Sequence, residues 1–205
     1  VGVSEPKIGT ILMDDIDVRM INLDSLRRTI GLVLPNDEII EGTVYENIVM
    51  GRSWITPHDV MGAVRLTHLD ETFLRLPKGL QTELISNGKN LSTGEVRRLM
   101  IARAIVHQPR LLILDEAFTG VEENLKIELL NKLYDERNPW TIIQITHDPE
   151  VVAASQEVMV LKDGIISDRG SPFELAYKNQ GHFCELFPDL SENLRLKTKD
   201  GELNG

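Results

Sequence analysis

The apolar run Leu111 to Leu114 ends in Asp115 and Glu116, which sets two carboxylates at the C-terminal end of a buried strand. Open parallel sheets bind their ligands outside that edge. There, one carboxylate can hold Mg²⁺ and the other can orient a water for attack. Many strands end in acids without doing chemistry, so the pair needs company. The segment TIIQITHD, residues 141–148, repeats the arrangement: another apolar strand delivers His147 to the same kind of edge. A lone histidine is more often structural, but Asp-Glu and His presented by neighbouring strands are what a nucleotide-hydrolysis site requires. Upstream, Ser92, Thr93 and Gly94 precede a basic and apolar stretch, with Glu95 close behind. Free N–H groups and the positive end of a helix make such a start suited to an anion. An ordinary capped helix would use the same residues; the position of this segment just before LLILDEA gives it weight.

These positions ask for strands alternating with helices. Residues 8–18 alternate apolar and polar types around Asp14 and Asp15, which reads as two short strands joined by a turn. Asn22 or Asp24 can cap a helical turn ahead of a buried strand over 30–34. From Thr43 to Leu76 the spacing becomes helical, with Val60, Ala63, Val64 and Leu69 on one face and Pro57 near a helix start. This stretch is a helical insertion. Residues 77–90, with Gly, Lys, Asn and Thr, predict a loop, followed by a helix over 92–107 that stops before Pro109. LLILDEA, a helix over 122–138, TIIQITHD and a helix from about Pro149 complete the alternation, which implies a parallel sheet with covered faces. VMVLKDGIISDRG predicts a hairpin turning at Asp163 and Gly164. From about Ser191 the chain is polar and charged and is expected to fray.

Composition narrows the partners. At 205 residues with 41% apolar and 26% charged side chains, the chain can bury a core and is not of the disordered type. A formal charge of −10 repels a phosphate backbone, so nucleic acid is set aside as a partner. Cys184 is the single cysteine, which rules out an internal disulfide and suits a reducing compartment such as the cytosol. No apolar run approaches the roughly 20 residues of a membrane span, so membrane association is expected through a partner.

The order LSTGEVRRLMIARAI, LLILDEAFTGVE and IIQITHD resembles the signature motif, Walker B motif, D-loop and switch histidine of ABC transporter ATPase domains. The likeness extends back through LPKGLQTELISNG and GTVYENI to GTILMDDIDV, so it spans about residues 8–180, and the LPKGLQTELISNGKNLS stretch looks most like the exporter branch. The resemblance implies an α/β fold: a RecA-like P-loop NTPase core with a parallel sheet and an inserted α-helical subdomain. It divides the chain into partial core (1–42), helical subdomain ending in the signature (43–98), core with Walker B, D-loop and switch histidine (99–180) and a C-terminal tail (181–205). It also implies ATP and Mg²⁺ as cofactors, with Asp115 on the metal, Glu116 as general base and His147 at the γ-phosphate. Ser92 and Gly94 would meet ATP held by a second nucleotide-binding domain, identical or different, arranged head to tail. A transmembrane domain would hold the chain at the cytoplasmic face of a membrane.

The sequence departs from the family pattern in several places. No G-x-x-x-x-G-K-[ST] occurs, so the N-terminal strands and Walker A loop are expected to lie outside these residues. Charge-assisted bonds to phosphate contribute roughly 1.5–3 kcal/mol each, and losing three weakens binding by about three decades or more. The chain alone is therefore expected to be inactive. Pro35 stands where the Q-loop glutamine is usual, and proline has neither side-chain amide nor backbone N–H. The signature reads LSTGE for LSGGQ, with Thr93 in place of a glycine and Glu95 adding charge, and Glu122 replaces the D-loop aspartate. Two alternatives follow: a degenerate regulatory half that completes a partner's ATP site, or a soluble, non-transport ABC ATPase, which the acidic charge and exporter-like loop disfavour.

Overall fold

A computed structural model describes residues 6–85, 90–178 and 180–202. The chain forms two units, Val1–Ile145 and Thr146–Gly205. In the first, strands β1 (Leu12–Met13) and β2 (Ile16–Asp17) form the expected hairpin. Its turn is made by Asp14 and Asp15, both in the left-handed region that Asp tolerates better than most residues. Helix α1 (Leu23–Arg28) is capped by Asn22, whose Oδ1 accepts from the Ser25 N–H at 3.0 Å, and leads into β3 (Ile30–Val33).

The helical spacing read from Thr43 to Leu76 is realised after β4 (Gly42–Thr43) as three helices: α2 (Val44–Val49), α3 (Pro57–Leu66) and α4 (Asp70–Arg75). Thr43 with Glu46, and Thr56 with Asp59, close capping boxes that satisfy otherwise orphan N–H groups. Pro57 occupies the first turn of α3, where a missing N–H costs nothing. The stretch expected as a loop over 77–90 contains a 3₁₀ turn and β5 (Glu83–Leu84), antiparallel to β4; residues 86–89 lie outside the described residues. A two-residue strand has no periodicity of its own, so only its partner reveals it.

Helix α5 (Thr93–Ile105) then leads to β6 (Leu111–Asp115), α6 (Glu123–Leu133) and β7 (Thr141–Ile145). Strands β3, β6 and β7 form a parallel sheet in that order, with Val33 opposite Leu114 and Asp115 opposite Ile145. Their C-terminal ends therefore lie along one edge. Leu99, Ile101, Leu112, Leu114, Leu129 and Leu133 are buried in the core of this unit. Helix α5 packs against β3 on one side and α2 and α3 on the other, so residues around most of its circumference are buried.

The second unit contains α7 (Pro149–Ala154), the hairpin β8 (Val158–Lys162) and β9 (Ile165–Gly170), α8 (Pro172–Tyr177), α9 (His182–Leu186) and α10 (Pro188–Glu202). The hairpin turns at Asp163 and Gly164, both with positive φ, as the sequence predicts. The end of the chain differs from expectation: instead of fraying at Ser191, it continues as α10. Leu190 and Leu194, one turn apart, pack on the cluster of Val152, Val160, Leu175, Ala176 and Phe183, and Ser191 is fully buried. This apolar stripe anchors a helix whose overall composition is polar.

Candidate nucleotide site

Strand β6 ends at Asp115, and the next residue leaves the sheet abruptly. Glu116 has φ 48°, an uncommon conformation for a residue with a side chain. Its N–H donates to the Ile145 carbonyl at 3.0 Å, which extends the β6–β7 ladder by one bond. Ala117 and Phe118 are then buried and anchor the outgoing chain. The Val121 N–H donates to the Phe118 carbonyl at 3.0 Å, closing a turn through Gly120 at φ 80°. Glu122 caps α6, its two carboxylate oxygens accepting from the N–H groups of Asn124 and Leu125, each at 3.2 Å. The acid expected in the D-loop thus also serves the helix behind it.

The start of α5 is a capping box. Ser92 Oγ accepts from the Glu95 N–H at 3.3 Å, while Glu95 Oε2 accepts from the Ser92 N–H at 2.8 Å and the Ser92 hydroxyl at 2.9 Å. The other carboxylate oxygen accepts from the Thr72 hydroxyl at 3.0 Å and lies 3.4 Å from an Arg75 guanidinium nitrogen. Burial pushes the Glu95 carboxyl upward, but the donors from the Ser92 backbone, the Ser92 hydroxyl and Thr72 outweigh it, leaving the group below the usual range. The negative charge that the sequence places near a phosphate site is therefore engaged by α5 itself and by α4.

Gly94 brings this helix start onto the turn after β6. A Cβ there would lie 2.9 Å from the Gly120 carbonyl oxygen and 3.5 Å from the Val121 Cα. Ser92–Glu95, Asp115, Glu116 and Glu122 consequently belong to one connected region of the first unit. Pro35 joins it from β3, the neighbour of β6. Its ring is exposed, and its carbonyl accepts from Arg97 Nη2 at 2.8 Å while Arg97 Nη1 reaches the Leu34 carbonyl at 3.3 Å. Arg103, lower on α5, donates to the carbonyls of Asn47 and Glu38 at 2.8 and 3.1 Å. These two arginines were not singled out in the sequence. The basic character of the helix is visible there, but the acceptors of Arg97 and Arg103 on the strand-end segment lie 62 and 65 residues away along the chain.

His147 belongs to the second unit and is exposed in the segment ahead of α7. That segment is ordered by Asp148, whose N–H donates to the Thr146 hydroxyl at 3.0 Å and whose Oδ1 accepts from the Glu150 N–H at 2.9 Å. Among the described residues, no three His, Cys, Asp or Glu side chains are grouped to hold a metal by themselves. Asp115 presents a single carboxylate at the end of β6, and phosphate-bound Mg²⁺ is held through one or two carboxylates with phosphate oxygens and water supplying the rest.

The family model described as "ABC transporter" matches residues 1–119, more than half of the 205. The chain belongs to the ABC transporter family. Among curated relatives it is 34% identical to a "Fatty acid ABC transporter ATP-binding/permease protein" of Mycobacterium tuberculosis, over 82% of this chain and 26% of that protein. It is 32% identical to "Uncharacterized ABC transporter ATP-binding protein YfiC" of Bacillus subtilis, over 92% of this chain and 31% of that one. A solved structure of "a bacterial Atm1-family ABC exporter with ATP bound" superposes with a TM-score of 0.83 at 28% identity, covering 90% of this chain and 32% of the other. The chain thus spans about a quarter to a third of the length of these two relatives. The fold is the RecA-like P-loop fold of ABC ATP-binding domains of exporter type, with the helices α2, α3 and α4 between β4 and α5.

Proposed function

We propose that this chain is the ATP-engaging part of an ABC exporter, in which ATP hydrolysis drives substrate across a membrane. The observation that supports the proposal is the approach of α5 to the turn that follows β6: Thr93 and Gly94 of the capped helix start lie against Gly120 and Val121, in the turn that runs from Asp115 and Glu116, at the strand edge where parallel sheets bind ligands, to Glu122. In this reading Asp115 supports Mg²⁺, which neutralises developing phosphate charge, and Glu116 orients the attacking water. His147 contacts the γ-phosphate. Ser92 and Gly94 face ATP held by a second nucleotide-binding domain, so each site uses two chains. With no G-x-x-x-x-G-K-[ST] among them, these 205 residues by themselves would not turn over ATP. Among the described residues β7 pairs only with β6, and Ile143 and Ile145, on one face of it, are 49% and 53% exposed. A transmembrane domain would anchor the assembly at the cytoplasmic face, and the division into core, helical subdomain, second core segment and tail at residues 42, 98 and 180 is part of the same proposal.

One observation favours a second reading, a regulatory half that completes its partner's site: Pro35 offers only a carbonyl, already bonded to Arg97, where a glutamine amide is usual. ATP turnover by the intact protein carrying this chain separates the two. Glu116→Gln is expected to lower turnover by roughly 10²–10⁴-fold, as loss of a general base does, while leaving ATP binding in place. Unchanged turnover would remove Glu116 from the mechanism and leave the regulatory reading.

A further inference from the structure

We infer that Thr93 and Gly120 are a matched pair of positioning residues that seats the start of α5 on the turn leading to Glu122; their role in catalysis rests on the function proposed above. A Cβ added to Gly120 would lie 2.9 Å from Thr93 Cγ2 and 3.4 Å from Thr93 Cβ. The first distance is closer than side-chain carbons approach. The β-branched side chain of Thr93 therefore occupies the space that any other residue at 120 would need. On the other side of the contact, Gly94 brings its backbone against the Gly120 carbonyl, where a Cβ would again lie 2.9 Å away. The contact is thus closed from both faces.

Neither partner can retreat. Thr93 follows Ser92, which is tied into the capping box with Glu95, and Glu95 is tied to Thr72. Gly120 sits between buried Phe118 and Glu122, the cap of α6, within a turn closed by the Val121 N–H. A push at Gly120 is consequently passed to Ser92 and Gly94 on one side and to Glu122 on the other. The threonine that departs from the family's glycine at 93 is absorbed by the missing side chain at 120. The α5 start, which would meet a partner's nucleotide, and the 118–122 turn are held as one body.

A double-variant cycle tests this. In the 205-residue chain, Gly120→Ala is expected to speed amide exchange at Glu95 and Val121 about tenfold or more, leaving the interior strand amides of Leu112 and Ile113 unchanged. Adding Thr93→Ser, which removes Cγ2 and keeps the hydroxyl, is expected to restore most of that protection. The strain of alanine at positive φ is present in both backgrounds and cancels in the comparison. Should Gly120→Ala alone fail to fold, recovery of a folded chain by the double variant is the same result in stronger form. A double variant that exchanges as fast as Gly120→Ala, or fails to fold like it, overturns the pairing. In the intact protein, KM for ATP is expected to rise with Gly120→Ala and return with the double variant. Restored exchange with KM unchanged throughout overturns the positioning role while leaving the proposed function standing. An intact wild-type protein that hydrolyses no ATP overturns the proposed function and that role with it, and the exchange data still decide the contact.

Discussion

Gly31→Ala measures how tightly α5 is seated on the sheet. Gly31 lies within β3 in ordinary strand backbone, so alanine there should otherwise stabilise the protein by about 0.4–1 kcal/mol through the unfolded state. Sterics reverse the sign. An ideal Cβ would stand 2.4 Å from the Ala104 carbonyl oxygen and 3.0 Å from Leu112 Cδ1 and Pro109 Cγ. A leucine terminus can rotate away, but a helix carbonyl cannot. Close C···O contacts settle at about 3.3 Å or more, so α5 must move by roughly 0.9 Å against α2 and α3, which pack on its other side. Overpacking of this kind costs about 1–3 kcal/mol, and a backbone acceptor puts it in the upper part of that range. For a chain of this size each kcal/mol shifts Tm by about 2–4 °C. A fall of roughly 4–12 °C is expected in calorimetric or circular-dichroism melts. An unchanged or raised Tm would refute the close seating of α5 on β3.

Two further outcomes follow from the same packing. Ser92→Ala removes the acceptor for the Glu95 N–H and the hydroxyl bonded to its carboxylate, so urea unfolding should show a loss of about 0.5–2 kcal/mol; an unchanged midpoint would contradict the box. Stability should also fall between pH 8 and 5.5. Burial, reinforced by Arg52 at His107 and Lys132 at His68, holds both imidazoles below the ordinary histidine value of 6.5. The unfolded chain then binds protons that the folded chain refuses, so their contribution is complete above pH 6.5 and is lost as pH falls below it. The capping carboxylates of Glu46, Glu95 and Glu174 are also depressed, from 4.5, and act only at lower pH. A urea midpoint that is flat or rises on acidification would contradict this.

Much of the architecture was legible because the strands announce themselves. Leu111–Leu114 and the TIIQI run are apolar and end in chemistry-bearing residues, and the Asp14–Asp15 and Asp163–Gly164 turns use types that accept positive φ. The capping residues Asn22 and Ser92 were readable for the same reason: their effect is confined to three residues. What escaped depends on residues distant along the chain. Nothing near Glu95 says that Thr72, 23 residues earlier, will donate to it, and nothing near Pro35 says that Arg97 will hold its carbonyl. The terminal helix was missed because Leu190 and Leu194 form too narrow a stripe to register until Phe183 and Leu175 supply the surface they cover.

The central claim is that the α5 start and the β6 edge serve nucleotide sites shared between two chains. A structure of the intact protein with ATP bound, carrying Glu116→Gln to hold the nucleotide, tests it most directly. The account places Ser92 Oγ within hydrogen-bond reach, about 2.5–3.0 Å, of the γ-phosphate bound by the opposite nucleotide-binding domain, with residue 116 and His147 at the γ-phosphate bound by their own domain. Ser92 facing solvent in such a structure, or His147 turned away from the phosphate that residue 116 approaches, would contradict it.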